Sequence, residues 1–144
     1  MNIHATVIAL GPVGLIIEGA SGTGKTHLAL SAIEKFQSHA GFAALVADDQ
    51  CLIEAVNGRL VATCPPALAG LAELRGFGIT TQRHIMSVVI DVVIRLVDGM
   101  GIERMPTTKT AIIAGTVLPL FELPARQIAV SLPILSQIVS SRRI

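Results

Sequence analysis

Between residues 3 and 19 the apolar positions fall in two unbroken runs, IHATVIAL and VGLIIEG, separated by Gly11-Pro12. Apolar runs this short fit strands, and the Gly-Pro turn predicts that the two form a β-hairpin. The period then changes. After a glycine-rich break, Leu28, Ala29, Ala32, Ile33 and Phe36 recur on one helical face, which predicts a helix over Lys25 to Phe36. A short break at His39 to Gly41 precedes FAALVADD, a strand-like run ending in two carboxylates. CLIEAV and RLVATC flank Asn57-Gly58, the strongest short hairpin signal, and Pro65-Pro66 ends the pair. LAGLAELRGFGI then returns toward the edge at the carboxyl end of FAALVADD, where ligands bind in open α/β sheets. The run from Ser87 to Val97 reads as one buried strand, DGMGIERMP as a loop, TAIIAGTVLPLFEL as another apolar stretch, and Leu132 to Arg143 as a final helix. The strand order is not fixed by this pattern.

Composition narrows the class. The 144 residues fit a single domain, 1–144, with one sizeable core. Apolar residues make up 51 % of the chain but only four are aromatic, all Phe, so the core is aliphatic, as in a buried sheet covered by helices. The fold class expected is α/β, a mixed sheet with flanking helices. Eleven basic against ten acidic residues leave a net charge of +1, and the only basic cluster is the terminal SRRI, so no nucleic-acid footprint is present. Cys51 and Cys64 lack CxxC spacing in a chain that reads as having no signal peptide, which favours buried thiols in a reducing cytoplasm over a disulfide or zinc framework. SVVIDVVIRLV is broken by Asp91 and Arg95 and is too short to span a bilayer. Leu135, Ile138 and Val139 fit a docking helix better than an amphipathic membrane anchor. No membrane association is expected.

The chemistry sits first in GASGTGKT, Gly19 to Thr26, which matches G-x-x-x-x-G-K-T with a strand before it and a helix after it. In such a loop the backbone N–H groups of Gly19, Ala20, Ser21, Gly22, Thr23 and Gly24 turn inward around a polyphosphate. Lys25 reaches the outer phosphates and the Thr26 hydroxyl ligates Mg²⁺. Asp48 and Asp49 end a strand 22 residues beyond Thr26, where a second acidic group can hold the metal or take a proton from an attacking hydroxyl. Strand alternation predicts that the two face different ways, one toward the phosphate and one supporting it. Glu73 and Arg75, beside Gly76 and Gly78, could offer a metal-binding carboxylate and a phosphate-binding guanidinium, or form an ordinary helix end with a glycine stop. By themselves His4 reads as a core or surface histidine and Arg104 as a solvated loop residue.

Taken together, IHA at His4, GASGTGKT, LVADD, LRGFGI preceded by Glu73, and ERM at Arg104 resemble, in order and from about residue 2 to about residue 105, the catalytic domain of HPr kinase/phosphorylase. The chain looks like a short form lacking the family's N-terminal domain. The resemblance implies a P-loop serine kinase related in fold to phosphoenolpyruvate carboxykinase. It implies ATP as donor, Mg²⁺ as cofactor and a serine of HPr, the phosphocarrier of the sugar phosphotransferase system, as acceptor. Lys25 matches the P-loop lysine, Thr26 and Glu73 the metal ligands, and Asp49 the carboxylate that accepts the serine proton and returns it in the reverse reaction. Asp48 is the neighbour of that base, and His4 and Arg104 match the remaining active-site histidine and arginine. The family is hexameric, so a homo-oligomer is expected, and its last helix meets HPr, which makes ILSQIVSSRRI a candidate docking surface.

The chain departs from the pattern twice. His27 stands where the family usually has glutamate, one step past the metal ligand, where a change is expected to be tolerated. The basic P-V-R-P-G-R loop before the last helix is reduced to ELPARQIAV, which keeps Arg126 and has no glycine. Because the family ties that loop to dephosphorylation, the expectation is a kinase with little or no phosphorylase activity. The competing readings are a nucleotide-binding regulatory module without phosphoryl transfer and a small-molecule kinase. The latter lacks the arginine-rich lid it would need, since Gly99 to Lys109 offers only Arg104 and Lys109.

Overall fold

A computed structural model of the chain describes residues 1–38, 41–99 and 107–142. In chain order the elements are β1 (Asn2–Ile3), β2 (Thr6–Leu10), β3 (Val13–Glu18), α1 (Lys25–Ser38), β4 (Ala43–Ala47), β5 (Cys51–Val56), β6 (Arg59–Thr63), β7 (Leu71–Leu74), β8 (Gly78–Thr81), β9 (Ser87–Ile90), β10 (Val92–Val97), β11 (Lys109–Ile113), β12 (Thr116–Pro124) and α2 (Ile128–Arg142). A six-stranded sheet runs β11-β12-β10-β3-β2-β4, a four-stranded sheet runs β1-β5-β6-β9, and β7-β8 form a separate hairpin.

The layers follow from the apolar runs. Alternate residues of β2, β3, β4 and β10 face opposite sides, and both sides are dry. Ile8, Leu10, Leu15, Ile17, Leu45 and Ile94 pack under α1 and α2 with Leu28, Ala32, Leu135, Ile138 and Val139. Val7, Ile16, Val46, Ala47 and Val93 pack against the four-stranded sheet with Ile53, Leu60, Ala62 and Ile90. A helix–sheet–sheet sandwich is why β2, β3 and β4 read as continuous hydrophobic runs and β5 alternates. Leu135, Ile138 and Val139 are the buried stripe of a docked α2, and among the described residues no helix is long and apolar enough to cross a membrane.

Both predicted hairpin turns form, at Gly11-Pro12 between β2 and β3 and at Asn57-Gly58 between β5 and β6. Asn57 and Gly58 both have positive φ, 51° and 77°, the pairing that a two-residue primed turn demands. Three expectations are corrected. Ser87 to Val97 is two strands in different sheets, because Asp91 leaves the ladder: its N–H donates to the Gly14 carbonyl at 2.8 Å and its carboxylate accepts the Gly14 N–H at 2.9 Å. The first run is likewise split, at His4-Ala5, into β1 and β2. The last helix begins at Ile128, with the Gln127 carbonyl accepting from Val130 and Ser131 at 3.1 and 2.9 Å. Pro133, in its second turn, hides that start from a sequence reading.

Cys51 and Cys64 are both free and buried, as expected. They lie opposite each other just beyond the Leu52–Thr63 register pair, and burial, above all else, pushes the Cys51 thiol up to about 11.

Candidate active site

Parallel pairing of β10 with β3 and β12, and the two antiparallel steps from β3 through β2 to β4, make β3, β4, β10 and β12 run in one direction. Their carboxyl ends therefore share one edge of the sheet. That edge carries the Gly19–Thr26 loop after β3, Asp48 and Asp49 after β4, Asp98 after β10 and Arg126 after β12. A cleft of about 710 Å³ opens there, lined by the loop, Asp48, Asp49, Arg126 and the β7-β8 hairpin from Glu73 to Gly78.

The loop is held closed at its base. Gly19 has φ of 154°, and a Cβ there would lie 2.8 Å from Thr23 Oγ1 and 3.1 Å from the Leu96 carbonyl oxygen, so only glycine fits. Thr23 donates through its hydroxyl to the Ala20 carbonyl at 2.7 Å. Lys25, 8 % exposed, donates through Nζ to the carbonyls of Gly19 and Ala20 at 3.0 and 3.3 Å. Its charge is thereby directed into the loop.

Asp48 is the junction of the site. Its Oδ1 accepts the Thr26 hydroxyl at 2.6 Å and the Thr6 hydroxyl at 3.0 Å, and its Oδ2 accepts the backbone N–H of Glu73 at 3.1 Å. Since the Thr26 hydroxyl donates its hydrogen bond to Asp48, its oxygen lone pairs are left free for a cation. Glu73 lies on a strand and lines the same cleft, which decides between the two sequence readings of AELRGFGI in favour of a hairpin over a helix end. Among the described residues no three or more His, Cys, Asp or Glu are grouped to enclose a metal. Thr26 and Glu73 supply the hard oxygens that suit Mg²⁺, an ion that keeps waters and phosphate oxygens in its remaining positions.

Asp49 does not follow strand alternation. Its φ is 72°, and the Gln50 N–H donates back to the Asp48 carbonyl at 2.9 Å, so the chain makes a rare positive-φ γ-turn centred on Asp49. The turn lets both aspartates line the cleft. The Asp49 carboxylate pairs with His4 Nε2, and the two side chains are 64 % and 54 % exposed, open to a molecule arriving from solvent. Topology brings them together. His4 lies where β1 passes to β2, Asp49 where β4 passes to β5, and both connections cross between the sheets at one place because β1 pairs β5 and β2 pairs β4. Strained backbone of this kind is characteristic of functional positions.

Arg126, noted from sequence only as the remnant of a basic loop, is a member of the site. Its guanidinium donates to the Gly22 carbonyl at 3.1 Å and pairs with Asp98, and the Arg126 backbone N–H donates to the Thr23 carbonyl at 3.0 Å. Like Asp49 it has positive φ, 56°. Thr6 was also missed, its only signal being one hydroxyl in an otherwise aliphatic run. Arg104 lies outside the described residues.

The model of the HPr serine kinase C-terminal domain matches residues 1–130. The chain belongs to that family. It is 36 % identical over 99 residues to the HPr kinase/phosphorylase of Clostridium beijerinckii, which covers 67 % of this chain and 31 % of the relative. With the HPr kinase/phosphorylase of Chlorobium phaeobacteroides it shares 30 % over 133 residues, 84 % of this chain and 38 % of the relative. The chain thus spans about a third of the length of these relatives. The structure of the HPr(Ser) kinase/phosphatase from Coxiella burnetii superposes with a TM-score of 0.82 at 22 % identity, over 99 % of this chain and 90 % of that one, which establishes the mixed α/β fold.

Proposed function

We propose that the chain is the catalytic domain of an ATP- and Mg²⁺-dependent protein serine kinase of the HPr type. It would act as one domain over residues 1–144, on a P-loop scaffold of the phosphoenolpyruvate carboxykinase kind. The observation that carries this reading is Asp49, held in a strained turn at the open mouth of the cleft and paired with His4, beside a loop that aims Lys25 inward. A serine hydroxyl is a poor nucleophile at neutral pH and needs a positioned acceptor for its proton. Asp49 takes that proton as the serine oxygen bonds to the γ-phosphorus, the bond to the bridging oxygen breaks and ADP leaves. His4 fixes the direction of the carboxylate. Lys25 and Arg126 offset the charge on the phosphoryl oxygens, with Arg104 as the further arginine that the resemblance assigns. Thr26 and Glu73 would hold Mg²⁺, whose role is to neutralise phosphate charge, and Asp48 fixes the Thr26 hydroxyl.

Supporting the assignment of the donor is the loop of eight residues, Gly19, Ala20, Ser21, Gly22, Thr23, Gly24, Lys25 and Thr26, opening directly into α1, the arrangement that favours polyphosphate. The acceptor, HPr, rests on family membership, as do a homo-oligomeric state and a cytoplasmic setting. The shortened stretch around Arg126 supports little or no phosphorylase activity. Intact-mass spectrometry of HPr incubated with this protein, ATP and Mg²⁺ is expected to show one added phosphate, absent when the regulatory serine of HPr is replaced by alanine. ATP binding without transfer would point instead to a regulatory module.

Arg126 gives a second test of the nucleotide site. Arg126→Ala removes the side-chain bond to Gly22 and the pair with Asp98, and the backbone bond to Thr23 remains. We expect ATP affinity to fall about tenfold, the scale of one charge-assisted hydrogen bond, measured by displacement of a fluorescent nucleotide. Unchanged affinity would place Arg126 outside the phosphate site.

A further inference from the structure

We propose that Thr6 is a positioning residue that sets the metal affinity of this site, acting through Asp48. The inference rests on the nucleotide reading above. Thr6 is fully buried, the first residue of a strand whose remaining four positions are the aliphatic Val7, Ile8, Ala9 and Leu10. A buried hydroxyl requires a partner, and the partner here is not a backbone carbonyl, as for Thr23 and Ser131, but the carboxylate oxygen that also binds Thr26.

The consequence is geometric. Asp48 receives three donors from three separate elements: Thr6 on β2, Thr26 on α1, and the Glu73 N–H on β7. The terminal torsion of an aspartate is broad, so a carboxylate held by fewer donors turns readily. With Thr6 and Thr26 on one oxygen and Glu73 on the other, it has one orientation. In that orientation it accepts the Thr26 hydroxyl hydrogen bond and leaves the Thr26 lone pairs free for a cation. The same carboxylate holds the backbone of Glu73, the second proposed ligand. Thr6 contributes from β2, which is hydrogen-bonded to a strand on either side, so both ligands are referenced to the sheet.

Removing the hydroxyl leaves Oδ1 with one donor and lets the carboxylate turn. Thr6→Val keeps the shape and the β-branching, and Thr6→Ser keeps the hydroxyl. The probe is Mn²⁺ binding to the complex of the protein with ATP, followed by electron paramagnetic resonance, alongside metal-free ATP binding and thermal melting. Thr6→Val is expected to weaken Mn²⁺ binding about tenfold while metal-free ATP affinity stays within about twofold, and Thr6→Ser is expected to recover most of the loss. If Thr6→Val does not fold, the same comparison is made between Thr6→Ala and Thr6→Ser. Mn²⁺ binding as tight as wild type in the folded variant overturns the proposal. So does an equal loss of metal-free ATP binding, which would mean that Thr6 only supports the fold. A wild-type chain that binds ATP but no Mn²⁺ overturns the metal assignment itself, and this inference with it.

Discussion

Asp49→Asn is expected to slow phosphoryl transfer to HPr by roughly 10³-fold, within the range lost with a general base, while ATP affinity stays within about twofold. The substitution is unusually clean for a geometric reason. Asp49 sits at φ of 72° in a turn closed by the Gln50 N–H, and asparagine tolerates positive φ at least as well as aspartate, so the backbone is retained. The amide preserves the size of the carboxylate and can still meet His4. What it loses is the capacity to take a proton. Single-turnover transfer, followed by intact mass of HPr with nucleotide prebound, separates this step from binding. Parallel loss of ATP binding and transfer would show that Asp49 supports the cleft and is not the base. Transfer at the wild-type rate would move the base elsewhere on the edge.

The second large effect concerns stability. Gly14→Ala is expected to cost about 3–5 kcal/mol, at the upper end of single substitutions, or to prevent folding altogether. A Cβ at Gly14 would stand 2.0 Å from the Val89 carbonyl oxygen and 3.0 Å from Val88 Cγ2. This is where the connection from β9 to β10 crosses between the two sheets, tied to Gly14 by the N–H and carboxylate of Asp91. Backbone cannot withdraw there without breaking both bonds. Urea unfolding followed by circular dichroism measures the change, and a loss below about 1 kcal/mol would mean that the crossing yields far more easily than its geometry implies.

The glycine loop, its helix, the two aspartates and the resemblance to a kinase catalytic domain were legible because each is a local pattern. A P-loop signature, a helical period and a run of buried aliphatics are each written in consecutive residues. The β5-β6 hairpin was legible for the same reason, since Asn57-Gly58 carries the turn chemistry by itself. The break at Asp91 was not, because a carboxylate in an apolar run looks the same whether it interrupts one strand or joins two. The hairpin identity of AELRGFGI was equally hidden. Two glycines can end a helix or turn a strand, and here β8 pairs back on β7 while Asp48, from another part of the chain, accepts the Glu73 N–H.

By itself the sequence determined the class, a buried aliphatic sheet with covering helices, and the residue types available for phosphate, metal and proton. Only the tertiary structure decided which of them meet. His4 and Asp49 are 45 residues apart, Thr6 and Asp48 42, and Arg126 and Gly22 104. Each pair is joined by the way strands cross between sheets or end on one edge, and that is set by long-range pairing whose free energy is spread over the whole core. No short stretch of sequence encodes it.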